Sequence, residues 1–226
     1  MSVPVTDPRW PKILSLSVHE FRTPMTVVSG YIRMLLKERA GPLSDQQRKL
    51  LEEAEKSCAR LSGLLAEVSE LSNLEAGTAP LNKGPVDLGS LLRDAVTHLP
   101  ALPDRDVAVS MELDPGAAPF EGDPARLTQA FISVIAALRR EIVGEDGLLV
   151  RGRRVDGGYE VLLGDPETIE ALDREPVAER TVFDEWRGGV GLSLMVARRI
   201  LNAHGATITA APDGRKSGAR IWLRQA

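Results

Sequence analysis

The sequence has one cysteine, few aromatic residues and no long apolar run. Because Cys58 is the only cysteine, an internal disulfide and a cysteine-based metal cluster are excluded. Aromatic residues are only 4% of the chain, so the core must consist mainly of Leu, Val, Ile and Ala. No apolar stretch approaches the ~20 residues that span a bilayer, and the N-terminus does not resemble a signal peptide. We therefore expect a soluble, cytoplasmic chain without membrane contact.

The excess of one charge sign over the other is also small. A net charge of -4 gives no electrostatic argument for nucleic acid or an anionic membrane as a partner. The length of 226 residues fits one large domain or two modest ones. The pattern changes at residues 77–85, which are rich in glycine and proline. We therefore predict two domains, 1–80 and 81–226.

The first domain begins with a predicted helix that follows Asp7 and Pro8, a capping residue and a first-turn proline. Its apolar residues are spaced alternately four and three apart, which is the heptad pattern of a helix that buries one narrow face. They are Leu14, Val18, Phe21, Met25, Val28, Ile32 and Leu35. The helix is expected to end near Gly41 and Pro42.

A second helix is predicted to begin at Ser44, because Gln47 three residues later completes a capping box. Its apolar positions are Leu50, Ala54, Leu61, Leu64, Val68 and Leu71. A short connection between two helices makes an antiparallel hairpin. One hairpin buries little surface alone, so we expect a homodimer in which two hairpins form a four-helix bundle.

The second domain alternates helices with strands, some of them paired as hairpins. This order predicts an α+β sandwich with helices on one face of a sheet. The predicted helices are 88–99, 123–143 and 190–204, and the predicted strands are 106–113, 148–155, 159–163, 206–211 and 219–224. A loop is expected between residues 163 and 190.

His19 follows the seam residue Val18, so it is expected beside the buried stripe and at least partly in solvent. A lone histidine on a helix is most often an ordinary surface residue. Here Pro24 stands inside the same helical pattern, where proline removes a hydrogen bond and costs about 3 kcal/mol. Such a residue close to an accessible histidine favours a functional reading.

The segment from His19 to Pro24 resembles the phosphoacceptor box of sensor histidine kinases, and the paired helices extend this resemblance over the first domain. The resemblance implies that His19 accepts a phosphoryl group and that the partner is the receiver domain of a response regulator. Neutral imidazole is a good nucleophile near pH 7. The adjacent Glu20 would orient the ring and hold its proton, and Thr23, one turn later, would place water for dephosphorylation of the receiver.

The second domain resembles the catalytic, ATP-binding domain of the same family, whose fold is shared with gyrase and Hsp90. Gly189, Gly191 and Leu192 resemble a glycine-rich turn before a helix, where backbone amides favour an anion. The segment 183–186 resembles the family's aromatic box, and Asp165 stands in register with the aspartate that reads adenine. The resemblance implies ATP as a cofactor, bound by Asp165, Gly189, Gly191 and Leu192.

Two departures from the family pattern affect this nucleotide site. Ala137 occupies the register of the asparagine that ligates Mg²⁺, and alanine has no ligand atom, so we do not expect the metal to be held in the usual way. After Asp165, the two glycines of the family turn are replaced by Glu167 and Ile169. Side chains of this kind disfavour a turn that requires positive φ.

Three functions remain open on the sequence. The chain is an ATP-dependent histidine kinase, a phosphotransferase or phosphatase with a degenerate ATP site, or a non-enzymatic dimeric scaffold that binds a receiver domain. Glu20 and Thr23 beside His19 favour the first two over the scaffold. The substitutions in the second domain favour the last two over the kinase.

Overall fold

The computed structural model describes residues 9–103, 105–114, 120–142, 147–174, 183–186, 191–211 and 217–224. The chain divides into two compact units, Met1–Ala79 and Pro80–Ala226. The first unit is a pair of helices, and the second combines helices with a sheet.

Helix α1 spans Trp10–Leu36 and has Pro11 in its first turn. Its N-cap is Arg9, which makes no capping hydrogen bond through its side chain. The helix therefore starts slightly later than the sequence predicted, and Asp7 and Pro8 lie outside the described residues.

Helix α2 spans Asp45–Glu75 and begins with the predicted capping box. The backbone amide of Gln47 donates to Ser44 Oγ at 3.2 Å, and the amide of Ser44 donates to Gln47 Oε1 at 2.9 Å. This prediction is confirmed, because both halves of the reciprocal pattern are present.

The hairpin buries few residues within a single chain. Val18 and Ile32 of α1 pack against α2, where Cys58 and Ser72 are buried. The Ser72 hydroxyl donates to the carbonyl of Pro11 at 2.6 Å and so ties the end of α2 to the start of α1. A large set of apolar side chains stays exposed, which we call the apolar hairpin surface: Trp10, Ile13, Leu16, Phe21, Val27, Val28, Tyr31, Met34, Leu50, Leu61 and Leu64.

The second unit has a five-stranded sheet of order β2-β4-β5-β7-β6 and a two-stranded sheet of β1 and β3. β2 pairs with β4 in parallel and the other pairs are antiparallel. The elements in chain order are β1 Gly84–Val86, α3 Leu88–Thr97, β2 Val109–Leu113, β3 Phe120–Gly122, α4 Pro124–Glu141, β4 Leu148–Val155, β5 Gly158–Gly164, α5 Pro166–Arg174, α6 Ser193–Ala203, β6 Thr207–Ala210 and β7 Ala219–Arg224.

The sheet carries helices on both faces. We assign α4 and α6 to one face, together with α3, because α4 and α6 contact β5 and β6 and α3 packs on α4. Successive side chains of a strand point to opposite faces of the sheet. Leu149 and Leu162 lie on the other face, where they pack against α5. The second unit thus has a helix where the sequence predicted a loop, on the face where none was expected.

The predicted α+β fold class, with a helical hairpin at its start, is confirmed. The short strands β1 and β3 were not predicted, and α6 begins at Ser193 instead of at Val190, which lies outside the described residues. In the part of the chain that the structure describes, no helix is both long enough and apolar enough to cross a membrane.

Candidate functional site

His19 lies in the middle of α1, next to the buried Val18, and 76% of its side chain is exposed. The backbone of a continuous helix fixes its position, whereas its ring reaches into solvent. The sequence predicted a position beside the buried stripe and at least partly in solvent, and the structure agrees.

Glu20 lies beside the ring, with its Oε1 3.4 Å from His19 Nδ1. This separation is longer than that of a strong hydrogen bond. A carboxylate in this position favours the tautomer that carries the proton on Nδ1, because Nδ1 can donate to it. Nε2 is then the nitrogen with a free lone pair.

The hydrogen bonding of α1 is altered over the turn that follows His19. Pro24 cannot donate a backbone hydrogen bond to the carbonyl of Glu20, four residues earlier. Thr26 Oγ1 donates to the carbonyl of Arg22 at 2.9 Å, a contact that often bends helices. Thr23 is exposed and lies one turn after His19, as the sequence predicted.

The residues predicted to hold a nucleotide are only partly described. Gly189 lies outside the described residues, whereas Gly191 adopts φ +67° immediately before α6. Leu192 is the N-cap of α6 and makes no capping hydrogen bond through its side chain. The turn before α6 therefore has the positive φ for which glycine is suited.

Asp165 makes its hydrogen bonds within its own chain. Oδ1 accepts from the backbone amide of Thr168, and Oδ2 accepts from the hydroxyls of Thr168 and Ser217, each at 2.8 Å. Burial works against ionisation, but these hydrogen bonds outweigh it and hold the pKa of the Asp165 carboxyl below its usual value. Sequence reasoning did not identify Thr168 or Ser217 as partners.

Ala137 lies inside the core of the second unit with no exposed surface. Ser133, one turn earlier, is also buried, and its hydroxyl donates to the carbonyl of Gln129 at 3.0 Å. Within the described ranges, no group of three or more His, Cys, Asp or Glu side chains could hold a metal ion.

The aromatic box lies before α6. Phe183 is buried, whereas 73% of Trp186 is exposed. Glu185 Oε2 lies 3.0 Å from Arg198 Nη1 and ties this segment to α6. The box is therefore anchored at its first aromatic residue and open to solvent at its last.

His204 is a buried histidine for which no role was predicted from the sequence. Its Nε2 accepts from the backbone amide of Asp123 at 2.9 Å, and its Nδ1 donates to the carbonyl of Ile200 at 2.7 Å. Burial lowers its pKa, the carbonyl of Ile200 opposes this, and Lys83 adds to the lowering. A neutral His204 thus joins the end of α6 to the start of α4.

The first unit is thus a helical hairpin with an exposed histidine, and the second is an α+β unit. Residues 13–77 match the family of the His Kinase A (phospho-acceptor) domain. The probable sensor histidine kinase TcrY of Mycobacterium tuberculosis is 31% identical over 202 residues, which are 84% of this chain and 41% of TcrY. The circadian input-output histidine kinase CikA of Synechococcus elongatus is 26% identical over 222 residues, 94% of this chain and 29% of CikA.

Solved structures of histidine kinases are also similar to this chain. The crystal structure of full-length ShkA in complex with AMPPNP matches with a TM-score of 0.69 and 25% identity, over 96% of this chain and 46% of ShkA. Acinetobacter baumannii histidine kinase AdeS shares the fold, with a TM-score of 0.57 and 19% identity over 92% of this chain and 98% of that chain. These matches support a sensor histidine kinase, with the phosphoacceptor domain at residues 13–77. The chain spans less than half the length of the curated relatives it matches.

Proposed function

We propose that this chain is a phosphotransfer core in which His19 carries a phosphoryl group and exchanges it with an aspartate of a receiver domain. The observation that carries the proposal is the exposed His19 ring with Glu20 Oε1 at 3.4 Å from Nδ1. The match of residues 13–77 to the phosphoacceptor family supports it.

The exchange needs only groups that the two proteins supply. Nε2 attacks the phosphorus of an aspartyl phosphate, the bond from phosphorus to the carboxylate oxygen breaks, and the carboxylate leaves with the electron pair. Nδ1 keeps its proton beside Glu20, which stabilises the positive charge that develops on the ring. The reverse reaction returns the phosphoryl group to the aspartate, so one site serves both directions.

The core is proposed to act as a homodimer. The apolar hairpin surface includes Phe21, which is 60% exposed, and Leu50, which is 66% exposed. Large contiguous apolar surfaces are uncommon on monomers. A second hairpin of the same sequence offers a matching surface and would complete a four-helix bundle.

The second unit is proposed to be degenerate as an ATP site. Ala137 has neither an oxygen ligand nor exposed surface, and the Asp165 carboxylate is already hydrogen-bonded to Thr168 and Ser217. These residues do not fit Mg²⁺-ATP in the way that the family resemblance implies. We therefore derive no catalytic step through the nucleotide.

The decisive experiment measures transfer between this chain and receiver domains that have been phosphorylated on aspartate. Wild type should acquire an acid-labile, base-stable phosphate, and His19→Gln should acquire none while remaining folded. His98→Gln is the matched control, because His98 is also exposed, at the C-cap of α3, and its Nδ1 lies 2.8 Å from the carbonyl of Asp94. Undiminished transfer in His19→Gln would refute the assignment.

A second candidate function is ATP-dependent phosphorylation of His19, favoured by the family and by the AMPPNP complex of ShkA. Incubation with labelled ATP and Mg²⁺ tests it, since rapid labelling of His19 without a receiver would establish an active kinase. A chain that is labelled by neither ATP nor a phosphorylated receiver would act instead as a dimeric scaffold for receiver binding.

A further inference from the structure

Helix α5 begins immediately after β5, where the family resemblance places a flexible glycine turn. Asp165 precedes Pro166, the first residue of α5, and accepts the amide of Thr168 as an N-cap does. Residues 166–169, all within α5, thus stand where the family resemblance places the turn beside adenine.

The carboxylate of Asp165 accepts three hydrogen bonds from donors of its own chain. Oδ2 has two lone pairs, and the hydroxyls of Thr168 and Ser217 occupy both. Oδ1 receives the amide of Thr168. These are hydrogen-bond donors, as the amino group of adenine would be, but they belong to the chain.

Thr168 also fills space between two glycines. Only 1% of Thr168 is exposed. A Cβ added to Gly164 would lie 2.8 Å from Thr168 Cγ2, and one added to Gly218 would meet the same methyl at a still closer approach. The ends of β5 and β7 therefore lack side chains where the Thr168 methyl packs.

The rest of α5 is fixed to the sheet. Ile169 and Leu172 have no exposed surface and pack with Leu149, Leu162 and Ala211. Asp173 bridges two arginines of β4, at 2.8 Å from Arg151 and 2.7 Å from Arg153, and Arg220 donates to the carbonyl of Leu172. Apolar contacts and ion pairs thus hold the helix along its length.

We propose that α5 is an internal substitute for the nucleotide, in which Thr168 and Ser217 satisfy Asp165 and make the second unit complete without adenine. Asp165 is then a positioning residue for α5 and the turn at Ser217. The inference concerns the second unit alone and does not depend on the function proposed for His19.

The test compares two substitutions that each remove one carboxylate charge from the same segment. Asp165→Asn weakens the α5 network, whereas Glu170→Gln removes only an exposed ion pair with Arg174. Hydrogen exchange of the α5 amides should become about fivefold faster or more in Asp165→Asn, because the side-chain NH2 of asparagine cannot accept the hydrogen bonds that Oδ2 accepts from Thr168 and Ser217. Exchange in Glu170→Gln should stay near that of wild type.

Nucleotide recognition is measured on the wild-type chain through its melting temperature, with ATP and with inorganic tripolyphosphate. No shift with either compound, or equal shifts with both, shows that adenine is not recognised. A larger shift with ATP than with tripolyphosphate would overturn the inference. Such a result would leave the proposed phosphotransfer by His19 untouched.

If Asp165→Asn does not fold, Thr168→Val and Ser217→Ala replace it, because each removes one donor hydroxyl and changes the side chain little. Both should lower the melting temperature by about 2–4 °C. Wild-type exchange rates and melting temperatures in these variants, or in Asp165→Asn, would contradict the inference.

Discussion

At the scale of single residues, the exposed position of His19 was predictable, whereas the hydrogen-bond network of Asp165 was not. His19 was recognisable as a candidate because Glu20 and Pro24 lie close to it in the sequence. The network of Asp165 escaped prediction because Ser217 lies 52 residues away and meets it only in the folded chain. Contacts between side chains distant in sequence have no local signature.

Thr23 is expected to contribute more to hydrolysis of the receiver phosphate than to phosphoryl transfer through His19. Its hydroxyl is exposed one turn after His19, where it could orient a water molecule without touching phosphorus. Thr23→Ala should slow hydrolysis of a receiver phosphate by about tenfold or more, since a misplaced reactant loses much of its rate. Transfer through His19 should change less.

Both rates can be measured with the same phosphorylated receiver, in paired assays. Thr26→Ala serves as the control, because the Thr26 hydroxyl is engaged with the carbonyl of Arg22. Equal losses of hydrolysis and transfer in Thr23→Ala would contradict the role given to Thr23.

His204 is expected to make the second unit sensitive to mild acid. Its pKa is lowered in the folded chain, so the unfolded chain binds more protons as the pH falls. The stabilisation is complete above the unfolded pKa of about 6.5 and is lost as the pH falls towards the lower folded pKa. Protonation would place an N–H of His204 against the amide of Asp123, and Lys83 would repel the new charge.

The free energy of unfolding should therefore be smaller at about pH 5.5 than at about pH 7.5. His204→Gln keeps an acceptor and cannot titrate, so the pH dependence of its stability should be weaker over this window. An equally steep dependence in that variant would assign the effect to other groups.

At the scale of elements, helix starts were predicted correctly where the signal lies in neighbouring residues. The capping box at Ser44 was correct because it involves only residues 44 and 47. Helix α5 was missed even though Asp165-Pro166 repeats the Asp123-Pro124 signal that starts α4. The resemblance to a glycine turn of the family predicts a loop here, whereas the local residues indicate the start of a helix.

The apolar hairpin surface should respond strongly to charge. Leu61 is 48% exposed in one chain and would be covered in a dimer. Leu61→Asp should dissociate or unfold the bundle, because burial of an unpaired charge costs on the order of several kcal/mol. Phe21→Asp should act in the same way.

Ala59→Asp provides the matched control on α2. It adds the same charge to an exposed position about 200° away from Leu61 around the helix. Light scattering should show a dimer for wild type and Ala59→Asp and a smaller species for Leu61→Asp. A wild-type monomer at micromolar concentration with an ordered hairpin would contradict the dimer proposal.

At the scale of the whole molecule, the family and the fold class were read correctly from the sequence. The two motifs differ in quality, since the phosphoacceptor segment is intact and the nucleotide segment is altered at Ala137 and after Asp165. Sequence comparison can detect such alterations, but it does not show what replaces the missing groups. Only the structure shows that α5 packs against the sheet and that Ala137 is in the core.

ATP is expected to bind weakly or not at all, and Mg²⁺ should not strengthen the binding. Loss of a metal ligand affects catalysis most, because the metal neutralises charge as the phosphoryl group moves. Calorimetry with ATP, in the presence and absence of Mg²⁺, should give no heat of binding or a weak signal that is independent of metal. Micromolar affinity that requires Mg²⁺ would restore the kinase as the leading function.

The burial of Ala137 bears on whether the proposed loss of the metal site could be reversed. Replacing Ala137 with asparagine would put an amide into a core position with no exposed surface, where overpacking and an unsatisfied polar group both destabilise the fold. If α5 first detached from the sheet, Asp165 would lose its hydrogen bond with the Thr168 hydroxyl, and the space that the Thr168 methyl fills beside Gly164 and Gly218 would be empty. Each single step back is therefore unfavourable alone, so the proposed departure from nucleotide binding would behave as an evolutionary ratchet.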